Sequence, residues 1–340
     1  MNKVCSLKNL QKLVYPGHRS LGTTNAKLQS VDEPKVDEPK EVEIEAPWGH
    51  IAAKWYGPSN TRPIVLLHGW MDNCNSFDPL IPLLPKHLAY LSIDLPGHGL
   101  SSRLPHGIMY TATNFLNVVS IIQRHYKWDQ ISFCGHSMGA EISSLYAALY
   151  PERCDLLICL DVLVKPYFGN ADHLIELTRK SFDEFLDLDQ LNRSDKEPPS
   201  YTYNEALERW AKQTNLTPEA TEYLMKRGVA TSKSNKNLFH FTRDIRLKLM
   251  EFTSANINDD VHYKLMERIK APHLFIKCSK SKEFEGKERY QEALDTLTKA
   301  NPKFELRTVV GGHHCHLTEP KHVSEHISKF INKYRPQIEN

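Results

Sequence analysis

A mostly parallel, doubly wound α/β sheet carrying one long helical insertion is the fold class this sequence predicts. Three observations point to it. From about residue 64 onward, short apolar runs alternate with helix-length amphipathic stretches, the pattern of strands buried on both faces and covered by helices. The alternation stops between about Lys165 and Asn256 and resumes at Ala271. Finally, the apolar run Gln130–Cys134 leads straight into Gly135-His136-Ser137-Met138-Gly139, and the helix-forming stretch Ala140–Tyr150 follows, closed by Pro151. A serine on a sharp turn between strand and helix must adopt a strained backbone that pushes its Oγ out above the sheet, and small neighbours let other chain pass close by.

In chain order, the first thirty residues are basic and free of acidic side chains, and Val4, Leu7, Leu10 and Leu13 could share one helical face. A mitochondrial transit peptide and a disordered basic tail both fit that composition. Val31-Asp32-Glu33-Pro34-Lys35 is then repeated as Val36-Asp37-Glu38-Pro39-Lys40. Charge and proline at this density cannot bury a core, so residues 1–40 read as a leader and a solvated linker.

Folding is expected from about Glu41. Glu41–Ala46 and His50–Tyr56 alternate around Pro47-Trp48-Gly49 and predict a hairpin. Ile64–Leu67, Tyr90–Ile93, Ile131–Cys134, Leu156–Leu160, Leu274–Lys277 and Leu306–Val310 predict buried strands. Helices are expected over Phe77–Leu84, Thr111–His125, Ala140–Tyr150, Tyr290–Lys299 and Lys321–Lys333. Within the insertion, His173–Leu188, Tyr203–Gln213, Pro218–Arg227 and Leu238–Leu249 read as amphipathic helices. The resulting division is a core of 41–164 and 257–340, with 165–256 a helical cap inserted after the sixth strand and lying over the catalytic face.

Composition narrows the function classes. Of 340 residues, 43 are Lys or Arg and 41 are Asp or Glu, a formal charge of +2. With no basic stripe, nucleic acid is not an expected partner, and no apolar run approaches the length of a membrane span. Seven cysteines lack paired spacing, and Cys134, Cys154, Cys159 and Cys278 fall in or beside predicted strands. Reduced core thiols in an intracellular compartment, mitochondrial or cytoplasmic, are therefore expected.

A serine nucleophile needs a base, a group that orients the base, and donors for the oxyanion. One donor should be the backbone N–H of Met138. The other should come from the loop after the third strand, His68-Gly69-Trp70, where Gly69 lets the Trp70 N–H turn inward. The loop after the last strand, Gly311 to Pro320, holds three histidines, His313, His314 and His316. Metal chemistry is not expected there, because no acidic or cysteine cluster completes a ligand set in the sequence, and no cofactor is implied. The loop after the next-to-last strand, Cys278 to Lys282, has no carboxylate before Glu283 and Glu285. Asp161, closing Leu156–Leu160, is the favoured orienting acid, with Glu283 and Glu285 as alternatives.

Together these residues resemble the α/β-hydrolase superfamily over about 41–335. Ile93-Asp94-Leu95-Pro96-Gly97-His98-Gly99-Leu100-Ser101-Ser102 is similar to the family's loop after the fourth strand, a structural element beside the pocket, and Gly-His-Ser-Met-Gly and the His-Gly step are familiar from the family. The last loop resembles the pattern G-H-x-x-H-L-x-x-P, which implies His313 as the base, His316 as an accessory and His314 as merely adjacent. His68-Gly69-Trp70-Met71-Asp72-Asn73 and Phe241-Thr242-Arg243-Asp244-Ile245-Arg246-Leu247 are similar to the serine hydrolase-like (kraken-like) subgroup. Ser281 stands where many members of the superfamily carry the acid, and Ala140 replaces a frequent glycine. A serine at the elbow, where dehalogenases and epoxide hydrolases of this fold carry aspartate, disfavours those chemistries.

The resemblance implies a cofactor-free serine hydrolase that cleaves an ester or related acyl bond of a small, apolar substrate. Carbon–carbon bond hydrolysis on the same triad is one alternative, and a ligand-binding protein that keeps the fold without turnover is another.

Overall fold

The computed structural model describes residues 38–163, 171–194, 196–249, 259–282 and 284–337. The expected leader falls outside the described residues up to position 37, and so does Glu283. Strands β1 (Lys40–Ala46) and β2 (Gly49–Tyr56) form the antiparallel hairpin. They continue into a sheet with β3 (Ile64–Leu67), β4 (Tyr90–Ile93), β5 (Ile131–His136) and β6 (Cys154–Leu160). A separate two-stranded ribbon, β7 (Val229–Thr231) with β8 (Phe239–Phe241), lies within the insertion. The last strands of the main sheet are β9 (His273–Cys278) and β10 (Phe304–Val309).

The sheet order is β1-β2-β4-β3-β5-β6-β9-β10, parallel from β4 onward. The order reverses between β3 and β5, so the loops that leave these two strands diverge at a switch point, where a crevice opens at the carboxyl edge.

Period-two alternation explains the two-sided core. On β3, Val65 and Leu67 join one apolar cluster with Phe115, Phe133 and Tyr146, while Ile64 and Leu66 join another with Phe77 and Ile327. Helices α1 (Ala112–Tyr126) and α2 (Met138–Leu149) cover the first face. A reciprocal capping box between Thr111 and Asn114 starts α1.

Three helices follow β6: α3 (Ala171–Arg193), α4 (Tyr203–Thr214) and α5 (Pro218–Gly228). The chain then forms α6 (Asp259–Glu267), α7 (Lys287–Ala300), the short α8 (Cys315–Thr318) and α9 (Pro320–Tyr334). Among the described residues, no helix is long and apolar enough to cross a membrane.

Three expectations are corrected. The stretch Phe77–Leu84 is not one helix but two 3₁₀ turns, Cys74–Phe77 and Ile81–Leu83, because Pro79, Pro82 and Pro85 remove the donors a longer helix needs. Leu238–Leu249 is not a helix either. Its aromatic start pairs as β8 with β7, and only Ile245–Leu249 turns helically, after Asp244 accepts from the Arg246 N–H at 2.9 Å. Cys278 is not a free thiol: the structure pairs it with Cys315 as a disulfide, since the end of β9 and the start of α8 are adjacent in space. Cys74, Cys134, Cys154 and Cys159 are free and buried.

Candidate active site

Ser137 separates β5 from α2 at φ 53° and ψ −117°, a conformation that costs an L-residue about 1–3 kcal/mol. Its neighbours explain how the chain reaches it. A Cβ on Gly135 would lie 2.3 Å from the Gly139 carbonyl oxygen, and one on Gly139 would lie 2.0 Å from that of Leu67. Both glycines are therefore required by close backbone approach. The Ser137 N–H donates to Leu160 O at 3.1 Å, which ties the elbow to β6.

Asp161 lies one residue beyond the end of β6, fully buried, with φ 66°. Its N–H donates to Ile276 O at 2.8 Å, and its Oδ1 accepts from the Cys278 N–H at 2.9 Å. Its Oδ2 lies 2.6 Å from His313 Nδ1, and Lys277 Nζ is 3.4 Å from Oδ1. Burial raises the carboxyl pKa, but the His313 hydrogen bond and charge, with Lys277 and the Ser281 hydroxyl, outweigh it and hold the carboxyl below its usual range. The Ser281 hydroxyl thus faces Asp161.

Glu285 is engaged elsewhere. Its carboxylate accepts from the Leu163 N–H at 3.3 Å and the Phe284 N–H at 3.1 Å, and burial raises its pKa. Of the two alternative acids, Glu285 does not meet His313, and Glu283 lies outside the described residues.

Trp70 and Met138 line the cavity that also contains Ser137 and His313. Met138 opens α2, and the first N–H of a helix has no intrahelical acceptor. The Trp70 indole donates to Leu247 O at 2.9 Å, so its ring is held by the insertion while its backbone stays with the loop after β3. That loop is pinned from beneath. His68 Nε2 accepts from the Leu95 N–H at 3.0 Å, and His98 Nε2 accepts from the Met71 N–H at 3.2 Å. Sequence reasoning treated the loop after β4 as a structural element, and its hydrogen bonds set the path of the loop after β3.

The cavity encloses about 590 Å³, within the usual range for small-molecule sites. Trp70, Met71, Val162, Leu216 and Phe284 give it apolar walls, and the α4–α5 corner, Gln213 to Thr217, forms part of its rim. Asn215 ends α4 in the left-handed conformation, and Thr217 caps α5 by accepting from the Ala220 N–H at 3.3 Å. The insertion is anchored to the core by Asn73 Nδ2, which donates to Leu224 O at 2.8 Å, and by Arg227 Nε, 2.5 Å from Asp94 Oδ2.

The motif Phe241 to Leu247 does different work from the pocket. Arg246, 1% exposed, is held by the carboxylates of Asp244 at 2.8 Å and Asp189 at 2.9 Å, and by the Leu104 and Pro105 carbonyls.

Sequence reasoning missed one cluster altogether. Asp72, His136 and His314, remote in sequence, converge in the lining of the same cavity. Asp72 Oδ2 is 3.3 Å from His314 Nε2 and 3.6 Å from His136 Nδ1. His136 Nε2 bonds to the His313 carbonyl at 3.0 Å. His316 is buried with its ring 4.2 Å from that of His136 and 5.0 Å from that of Phe77. Burial lowers the His136 pKa to about 4 and lowers that of His316 as well.

Residues 62–215 match the family model for the alpha/beta hydrolase fold. A probable serine hydrolase of Drosophila melanogaster is 34% identical over 315 residues, covering 92% of each chain. Serine hydrolase-like protein 2 of Homo sapiens is 32% identical over 303 residues, 86% of this chain and 93% of that one. Among solved structures, a hypothetical protein of Pseudomonas aeruginosa matches with a TM-score of 0.73 at 27% identity, over 87% of this chain and 99% of its own. A thioesterase domain from the curacin biosynthetic pathway shares the fold with a TM-score of 0.72 at 19% identity, over 86% of this chain and all of its own.

Proposed function

Because this chain belongs to the serine hydrolase-like group of the α/β-hydrolase family, we propose that it is a serine hydrolase acting on an ester or related acyl bond of a small, apolar substrate. The observation that carries the reading is the 2.6 Å contact between Asp161 and His313, in a cavity shared with the strained Ser137.

A carboxylate on Nδ1 fixes the tautomer in which Nε2 is the basic nitrogen, and it stabilises the imidazolium formed when that nitrogen takes a proton. Ser137 Oγ then attacks the substrate carbonyl while His313 takes its proton. The Trp70 and Met138 N–H groups hold the oxyanion. His313 returns the proton to the leaving alcohol, and the acyl group remains on Ser137. Water, activated by the same histidine, attacks that acyl ester and restores the hydroxyl.

The apolar walls favour an uncharged acyl group, and the helical insertion, through Leu216 and the α4–α5 corner, sets its size. A non-catalytic role drew its only motive from the missing carboxylate in the loop after β9. Asp161 at His313 supports turnover instead.

Hydrolysis of short-chain p-nitrophenyl esters tests the proposal. Wild type should turn over, and Ser137→Ala should fall by about three to six orders of magnitude. Equal rates in the two proteins would contradict it.

A further inference from the structure

The cavity of the proposed catalytic groups also carries a second constellation that the reaction does not use. Asp72 is 2% exposed, and neither of its carboxylate oxygens has a hydrogen-bond partner among the described residues. Nor does His136 Nδ1. An ionised carboxylate buried without donors is costly and calls for a compensating positive charge.

A carbonyl can only accept, so the 3.0 Å contact with His313 O puts a proton on His136 Nε2. In the neutral ring, Nδ1 is then a lone pair, and it faces Asp72 Oδ2 at 3.6 Å. Acceptor faces acceptor. His314 Nε2 approaches the same oxygen at 3.3 Å without hydrogen-bond geometry. The space beside these atoms is kept open by Gly69, where a Cβ would lie 2.8 Å from His136 Nδ1 and 2.9 Å from Asp72 Oδ2.

We propose that Asp72, His136 and His314 form a binding site for a divalent transition cation of the zinc class. Ligands about 2.0–2.1 Å from a tetrahedral ion lie about 3.3–3.4 Å from one another, close to the two separations from Asp72. The three ligand atoms fall within 4.8 Å of one another, and rotation of His314, whose side chain is 10% exposed, closes the remaining gap. Two imidazoles and a carboxylate suit zinc-like ions. All three residues border the cavity, so water can fill the fourth position. The His136 Nε2–H to carbonyl bond is the outer contact that orients a metal-bound imidazole. Arg243, the nearby cation, makes no ion pair with Asp72 among the described residues. It bonds to Gln213 at 2.9 Å and stacks on Phe241 at 4.5 Å.

Two of the ion's ligands would be chain neighbours of the reacting groups, because His136 precedes Ser137 and His314 follows His313. This site does not depend on the proposed reaction, and its test is a binding measurement. The full-length, tag-free protein is titrated with Co²⁺ and read by its visible ligand-field spectrum, then with Zn²⁺ in competition and by calorimetry.

One equivalent should bind, displaceable by Zn²⁺, with a four-coordinate spectrum and a raised Tm. His314→Ala should weaken binding by about two orders of magnitude, at or beyond the upper end of what outer-shell losses cost. Asp72→Asn should do the same, with circular dichroism and elution volume confirming that each variant is folded. His313→Ala keeps its backbone carbonyl and should bind as wild type does. No ligand-field spectrum at about tenfold metal excess would overturn the proposal. So would binding that survives in folded His314→Ala and is lost in His313→Ala, which would put the ion on the proposed catalytic histidine.

Discussion

Ser137, His313 and Asp161 come from three segments that the chain brings together by different means. The serine is held by backbone strain, the aspartate by two backbone hydrogen bonds, and the histidine by its bond to that aspartate. Asp161→Asn keeps the shape of the side chain but offers His313 an amide that can stabilise the wrong tautomer. Turnover should fall by about four orders of magnitude while the far-ultraviolet spectrum is unchanged. Glu285→Gln keeps its acceptor for the Leu163 N–H and should leave ester turnover near the wild-type rate. The reverse ranking in ester kinetics would move the acid to Glu285. Asp161 also links the site to folding. Its carboxyl sits below the ordinary value of 3.8, so the stabilisation it provides is complete above that value and is lost as the pH falls through the depressed one. The acid limb of a stability profile should therefore be shallower in Asp161→Asn.

At the scale of elements, the path between β6 and β9 is secured by Arg246, whose guanidinium joins Asp244, Asp189 and the carbonyls near residue 105. Replacing it by Met removes the charge, leaves the buried Asp244 carboxylate without a cation and leaves Asp189 with Arg193 as its remaining arginine partner. Urea unfolding should show a loss of about 3–5 kcal/mol, and an unchanged midpoint would mean the network is not cooperative. The strands and most helices were legible because alternating and 3.6-residue patterns report burial directly. The elbow was legible because Gly135 and Gly139 leave a local trace of the close approach to Leu67. Phe77–Leu84 misled because apolar spacing outweighed its prolines, and Leu238–Leu249 because that spacing does not report the pairing of Phe239–Phe241 with Val229–Thr231. The Asp72, His136 and His314 cluster could not be read at all. Its members are separated in sequence, and only the fold brings the loop after β3, the end of β5 and the loop after β10 together. The one available signal was Asp72 in the motif after His68-Gly69.

For the molecule as a whole, buried neutral histidines set its response to acid. His273, at the start of β9, is fully buried, neither of its ring nitrogens has a hydrogen-bond partner among the described residues, and burial lowers its pKa to about 3. Between that value and the unfolded value of 6.5, the unfolded chain binds a proton that the folded chain does not. Stability should then decline on acidification by about 1.4 kcal/mol per pH unit for this group alone. His273→Phe, which would pack against Phe304 as the imidazole does, should reduce the slope by one proton, and an unchanged slope would show that His273 titrates normally. In the proposed function, the whole fold converges to activate one serine. Labelling with a fluorophosphonate probes that activation, with wild type, Ser137→Ala and Asp161→Asn side by side. Wild type should label rapidly, Ser137→Ala not at all and Asp161→Asn far more slowly. Folded wild type that fails to label, or Asp161→Asn that labels at the wild-type rate, would contradict it.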